Sequence, residues 1–220
     1  MLRVRDTMTR GVITLGPEDS AARAFDLCRE RNIRHLPVVE SRRLVGLISD
    51  RDLRDVSPPW GGADKEDALR EVRVGDIMST DLVTVHPLDT IEHAARELSD
   101  RNIHCLPVVA EGELVGIITS SDMMHTLVEL IGAHGPGSWI EIEVPNEPGM
   151  LAEVTDVIRE RHVNIASVFL APAGRATYRT IVFRLETTDP SGIAGSLAAA
   201  GYAVTSTEPT GPVERRLERR

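Results

Sequence analysis

The apolar positions change period along the chain, and each change marks an element. Val12-Ile13-Thr14 is a short β-branched run of the kind that forms a strand. Pro17-Glu18-Asp19-Ser20 then supplies a helix start. Ala21, Ala24, Phe25 and Cys28 follow at i, i+3, i+4 and i+7, one face of a helix. Cys28 thus falls on a core stripe, as a small buried hydrophobe. Leu36-Pro37-Val38-Val39, the polar turn Glu40-Ser41-Arg42-Arg43 and Leu44-Val45-Gly46-Leu47-Ile48 read as a hairpin. A second helix starts at Ser49. The unit is β-α-β-β-α.

The same unit returns without a gap at a constant offset of 70 residues, Val4–Leu53 aligning with Val74–Met123. Val4-x-Asp6-x-Met8 becomes Val74-x-Asp76-x-Met78. Arg31-Asn32-Ile33-x-x-Leu36-Pro37-Val38-Val39 becomes Arg101-Asn102-Ile103-x-x-Leu106-Pro107-Val108-Val109. The second strand run is Leu82-Val83-Thr84-Val85, and the second helix face is Ile91, Ala94, Ala95 and Leu98. One copy is too small to bury its own sheet, so the two are expected to pack sheet on sheet. Between them, Pro58-Pro59 and Gly61-Gly62 predict a loop anchored by Trp60, with a short helix at Ala68 to Val72.

A third pattern starts after Ala133-His-Gly-Pro-Gly-Ser138. Trp139 to Val144 alternates as a strand, and Pro145-Asn-Glu-Pro-Gly149 opens a helix carrying Leu151, Val154 and Ile158. Val163 to Leu170 and Tyr178 to Leu185 are strands around the turn Ala171–Gly174. Gly192 to Ala200 is a helix, and Tyr202 to Ser206 a last strand. The order βαββαβ is ferredoxin-like. The fold class is α+β: two βαββα repeats packed as a pair, then a βαββαβ domain. The expected boundaries are repeat 1 at 1–55, a linker at 56–73, repeat 2 at 74–132, the third domain at 138–208 and a tail at 209–220.

Composition narrows the partners. The 220 residues carry 25 Lys+Arg against 34 Asp+Glu, a net charge of −9, which argues against sequence-independent nucleic-acid binding and against anionic membrane. Two cysteines, Cys28 and Cys105, make neither a disulfide framework nor a four-thiolate zinc site. No apolar run reaches the length of a membrane span, and the first residues hold no signal-peptide stretch, so a cytoplasmic location is expected. The seven histidines include no His-x-x-x-His pair, and no Gly-x-Ser-x-Gly or Gly-Lys-Ser/Thr loop occurs. No metal and no catalytic residue are expected.

The candidate chemistry sits at the second helix of each repeat. Ser49-x-x-Asp52 and Thr119-x-x-Asp122 can be capping boxes in acidic form. The same geometry can receive a nucleotide, with phosphate at the helix start and ribose hydroxyls on the carboxylate. The strings Gly46-Leu-Ile-Ser49-x-x-Asp52 and Gly116-Ile-Ile-Thr119-x-x-Asp122 resemble the nucleotide-site motif of the CBS domain, a regulatory module working in tandem pairs. That resemblance covers roughly residues 1–130. It implies that Thr14 and Thr84 lie near the adenine edge and that Arg34, His35 and His104 stand where phosphate-facing cations occur. Cys105 departs from that pattern, and Arg51 has Ser121 as its counterpart, so the two sites look unequal, with more cations in the first repeat.

Residues 138–208 resemble the ACT domain, on Pro145-Asn146-Glu147-Pro148-Gly149-Met150-Leu151 and Asn164-Ile165. The resemblance makes Asn146, Glu147, Gly149, Met150, Leu151 and Asn164 a candidate amino-acid rim, while Asn146 and Gly149 can equally serve only the turn. A CBS pair followed by an ACT domain is similar to the acetoin-utilisation AcuB family. The expectation is a non-catalytic, homodimeric sensor. Its ligand would be AMP, ADP, ATP or S-adenosylmethionine, and its partner an unidentified enzyme. The alternative is a ligand-free scaffold in which Ser49, Asp52, Thr119 and Asp122 are only caps.

Overall fold

The computed structural model describes residues 1–57, 63–132, 135–172 and 177–210. Trp60 with its Pro-Pro and Gly-Gly neighbours, half of the Ala171–Gly174 turn and nearly all of the tail lie outside the described residues. The chain divides into two compact units, Met1–Met124 and His125–Arg220.

In the first unit, α1 (Val4–Thr7) and α2 (Ala21–Arg31) precede a hairpin of β1 (His35–Glu40) and β2 (Arg43–Ser49), then α3 (Asp50–Asp55). After α4 (Ala63–Glu71) the second copy gives α5 (Val74–Ile77), α6 (Ile91–Asp100), β3 (Cys105–Ala110), β4 (Glu113–Thr119) and α7 (Ser120–Ile131). The helix before the second copy is longer than the sequence suggests. Ser20 and Thr90 cap α2 and α6, accepting from the Arg23 and His93 amides. Each hairpin turns on two residues at positive φ, Ser41 (51°) with Arg42 (71°) and Glu111 (53°) with Gly112 (83°), the geometry that matches strand twist.

The predicted first strand of each repeat is only a single parallel bridge, Leu15 to Val38 and Val85 to Val108. The Leu15 amide donates to the Pro37 carbonyl, and the Val39 amide to the Leu15 carbonyl. Extending that ladder backward needs an N–H on Pro37, and extending it forward needs one on Pro17. Neither exists. Pro107 and Pro87 confine Val85 in the same way, so each sheet stays two-stranded, β1-β2 and β3-β4.

The leading segment of each copy packs into the other copy. Val4, fully buried, and Met8 join the core of Val85, Ala94, Leu106, Val108 and Ile118. Val74, Ile77 and Met78 join the core of Leu15, Leu36, Val38, Ile48 and Leu53. The Val4 amide donates to the Asp89 carbonyl at 2.9 Å and the Val74 amide to the Asp19 carbonyl at 2.8 Å. Beyond them Thr9 bridges Ile117 and Ser79 bridges Leu47. The glycine in each Leu-Val-Gly-x-Ile string makes room for this exchange. A Cβ on Gly46 would collide with the Met78 side chain, and one on Gly116 with that of Met8.

The second unit holds the end of α7, β5 (Gly137–Pro145), α8 (Met150–Glu160), β6 (Ile165–Pro172), β7 (Tyr178–Leu185), α9 (Ser191–Ala199) and β8 (Ala203–Thr210). Its antiparallel sheet runs β6-β7-β5-β8, as βαββαβ order requires. Ile140, Ile142, Ile181 and Phe183 face Val154, Ile158, Ile193 and Leu197. Leu151, expected on the core face of α8, is 38% exposed, and Met150 and Val157 pack there instead. Gly149, whose φ of +99° is left-handed, is the N-cap of the helix, and the inward face begins at Met150, one residue earlier than the spacing implied.

Candidate functional site

Both helix starts form the expected capping geometry. The Ser49 amide and hydroxyl each donate to Asp52 Oδ2 at 2.7 Å, and the Asp52 amide donates back to Ser49 Oγ at 3.3 Å. Thr119 and Asp122 repeat this at 2.8, 2.7 and 3.3 Å. In both pairs Oδ2 takes the cap bonds. Among the described residues Oδ1 of each Asp carries no hydrogen bond, which leaves an acceptor for a ligand.

Each motif opens onto a cleft whose opposite wall comes from the other repeat. The larger, about 460 Å³, joins Thr119, Ser120, Ser121 and Asp122 to Asn32, Ile33, Arg34 and His35, with Thr9 and Ile117 at its base. The smaller, about 230 Å³, joins Ser49 and Asp52 to Ile103, His104 and Cys105, with Leu47, Ser79, Asp81, Leu82 and Val83. His35 and His104 line both. The hairpin registers explain this placement. His35 lies opposite Ser49 and Cys105 opposite Thr119, so the strand entrances stand beside the helix starts and between the clefts.

This arrangement regroups the residues singled out in the sequence. Arg34 comes from the first repeat but lines the cleft of Asp122, and His104 and Cys105 line that of Asp52. Thr14 lies in a separate depression with Gly11, Val12, Val39, Arg42, Leu114 and Val115. Thr84 and Arg51 line none of these three clefts. Sequence reasoning missed Thr9, Asn32, Ile33, Ser79, Asp81, Leu82, Val83 and Ile103. The signal was available at Thr9 and Ser79, which follow the repeated Asp-x-Met, but their role depends on the exchange of leading segments.

Burial holds the His35 imidazole below its ordinary pKa, aided by the nearby His104 and Arg34 and opposed by Asp50 and Asp52. The imidazole is therefore largely neutral near pH 7. Burial also pushes the Cys28 thiol up to about 11 and the Cys105 thiol up to about 12, with Asp50 and Asp122 adding to the respective effects. Neither thiol is ionised at neutral pH, so neither is an activated nucleophile. No group of three or more metal-ligating side chains occurs among the described residues.

The ACT-like rim is held by turn contacts. Asn146 Oδ1 accepts from Arg179 Nε at 2.8 Å, the Asn146 amide donates to the Thr177 carbonyl, and Asn164 Nδ2 donates to Glu186 Oε2 at 3.0 Å. Glu147 and Leu151 are exposed, Met150 reaches the core and Gly149 caps α8. None of the three clefts described touches these six residues.

Two paired hairpin repeats with mutually completed clefts define a tandem-repeat module. The CBS domain family matches residues 4–58 and 74–129, and the ACT domain family matches 138–201. The chain belongs to the CBS domain family, as a tandem pair followed by an ACT domain. It is 34% identical over 125 residues to the CBS domain-containing protein YhcV of Bacillus subtilis, covering 56% of this chain and 84% of that protein. It is 38% identical over 124 residues to an inosine-5'-monophosphate dehydrogenase of Korarchaeum cryptofilum, but spans only 24% of that enzyme.

Among solved structures, a Vibrio cholerae protein named for acetoin utilization (AcuB) is similar at 33% identity and a TM-score of 0.53, over 60% of this chain and 94% of that one. CBSX2 in complex with AMP is similar at 27% and 0.51, over 59% and 99%. The CBS domain pair of MJ0100, in complex with 5'-methylthioadenosine and S-adenosyl-L-methionine, is similar at 28% and 0.50, over 58% and 96%. No helix among the described residues is long and apolar enough to cross a membrane.

Proposed function

We propose that this protein is a non-catalytic sensor whose CBS pair binds an adenosine nucleotide or S-adenosylmethionine in the two clefts. One observation carries this reading: each cleft sets a capped hydroxyl-x-x-Asp helix start of one repeat against the strand entrance of the other. An adenosine ligand bridging the two walls would favour one packing of the repeats over another, which is how a bound effector biases a two-state module. Support comes from the similar CBS pairs solved with AMP and with S-adenosyl-L-methionine. In this reading the ACT domain takes an amino acid on the Asn146–Leu151 turn and Asn164. The protein acts as a cytoplasmic homodimer on a partner enzyme, with acetoin metabolism as the setting suggested by the AcuB relative. The apolar side chains of Leu127 and Leu130, exposed on α7, are consistent with self-association.

The test is thermal unfolding against AMP, ADP, ATP, S-adenosylmethionine and amino acids. A ligand at about 100 times its dissociation constant adds about 2.7 kcal/mol and raises the midpoint. A rise that Asp52→Asn or Asp122→Asn abolishes supports the sensor. A flat panel at millimolar ligand favours the scaffold reading, in which the carboxylates only cap α3 and α7.

A further inference from the structure

The two clefts are related by the internal repeat, yet their charged linings are not equivalent. His35 and His104 line both, so the difference lies in what remains. The Asp122 cleft has Arg34 against one carboxylate, a formal charge of zero counting Lys, Arg, Asp and Glu side chains. The Asp52 cleft has Asp52 and Asp81 and no Lys or Arg, a formal charge of minus two. Repeat-equivalent positions sharpen the contrast. Arg34 corresponds to His104, and Asp81 corresponds to Gly11. Arg34 and Asp81 are both exposed, and neither has an ion-pair partner among the described residues, so neither is already engaged when a ligand enters.

Two further features point the same way. The Asp122 cleft opens on the first turn of α7, twelve residues long, whereas α3 beside the other cleft has six. The longer helix presents the fuller positive end to an anion. The volume of the Asp122 cleft, about 460 Å³, also lies inside the range of about 300–1,000 Å³ typical of ligand sites.

We propose that the clefts are chemically specialised: the Asp122 cleft takes the phosphorylated adenosine ligand, and the Asp52 cleft excludes phosphate and accepts only a neutral or cationic adenosine compound. Arg34 supplies the charge-assisted hydrogen bond to phosphate across the repeat boundary, and Asp81 repels it on the other side. This rests on the adenosine-binding reading above and adds which cleft takes which class.

Isothermal titration of the full chain with ADP and with adenosine tests it. The expected result is one ADP per chain. Arg34→Ala weakens ADP about tenfold, the loss of one charge-assisted contact, and weakens adenosine less than about threefold. Arg29→Ala removes an exposed cation of α2 that lines neither cleft, and it leaves ADP binding unchanged. Asp81→Asn opens a second ADP site. Both Arg34 and Asp81 are exposed, so unchanged melting of the variants verifies that they fold. Two equal ADP sites in the unsubstituted protein overturn the proposal, as does an equal loss of ADP and adenosine on Arg34→Ala. Adenosine binding without any ADP binding overturns it and leaves the sensor reading standing. No binding of either overturns both.

Discussion

Gly46 and His35 show how single residues serve the paired repeats. Gly46 has no Cβ because Met78 of the other copy occupies that space, and Gly116 makes the same room for Met8. Gly46→Val should destabilise by about 1–3 kcal/mol through overpacking. Adding Met78→Ala should restore part of that, and a denaturant-unfolding double-mutant cycle measures the recovery. At Gly116 the Thr9 carbonyl also lies 3.1 Å from the added carbon, so Met8→Ala should rescue Gly116→Val less well. His35 supplies a pH dependence. Its folded pKa is lowered, so the unfolded chain binds the proton more readily. Stability is then present above the unfolded value near 6.5 and is lost as pH falls through the folded one. The groups facing His35 are Asp50, His104, Arg34 and Asp52. Melting midpoints should drop on acidification from pH 7.5 to 5.5, and His35→Gln should flatten that drop. An unchanged slope in the variant would assign the effect elsewhere.

Helices and strands here owe their limits to local chemistry. Proline at positions 17, 37, 87 and 107 confines each first strand to one bridge, because a parallel ladder needs the amide that proline lacks. The β-branched runs before those bridges carry strand propensity and nowhere to pair it. The capped starts of α3 and α7 have measurable worth without any ligand. Asp52→Ala or Asp122→Ala should each cost about 1 kcal/mol in ligand-free unfolding, the ordinary value of a lost cap. Asp→Asn at either position keeps an acceptor and should cost less. Equal losses for Ala and Asn would mean that charge, and not the cap bond, stabilises these turns.

The CBS pair as a whole is held together by exchange. Val4 and Met8 complete the core built around Val108 and Ile118, and Val74 and Met78 complete the one around Val38 and Ile48. Deleting residues 1–8 should therefore lower hydrogen-exchange protection at Val108 and Ile118 more than at Val38 and Ile48. The reverse order would mean that each copy keeps its own leading segment. The same exchange assembles both clefts from both repeats, so a ligand in either one reports on how the copies are packed.

The periodicities at Ala21–Cys28 and Ile91–Leu98, the caps at Ser20, Ser49, Thr90 and Thr119, the hairpin turns and the 70-residue repeat are local or self-referential patterns. The sequence by itself therefore determined two copies of a helix, a hairpin and a helix, a βαββαβ domain and the two hydroxyl-x-x-Asp pairs. Even the prolines that cut the first strands short stand in plain view, although their effect appears only once the partner strand is known. Tertiary structure alone decided the membership of each cleft. Arg34 follows Ile33 in sequence and leads to Ser49 in the same hairpin, yet it lines the cleft of Asp122. Side chains from different copies meet through packing and strand register, and neither is encoded in the spacing of neighbours along the chain.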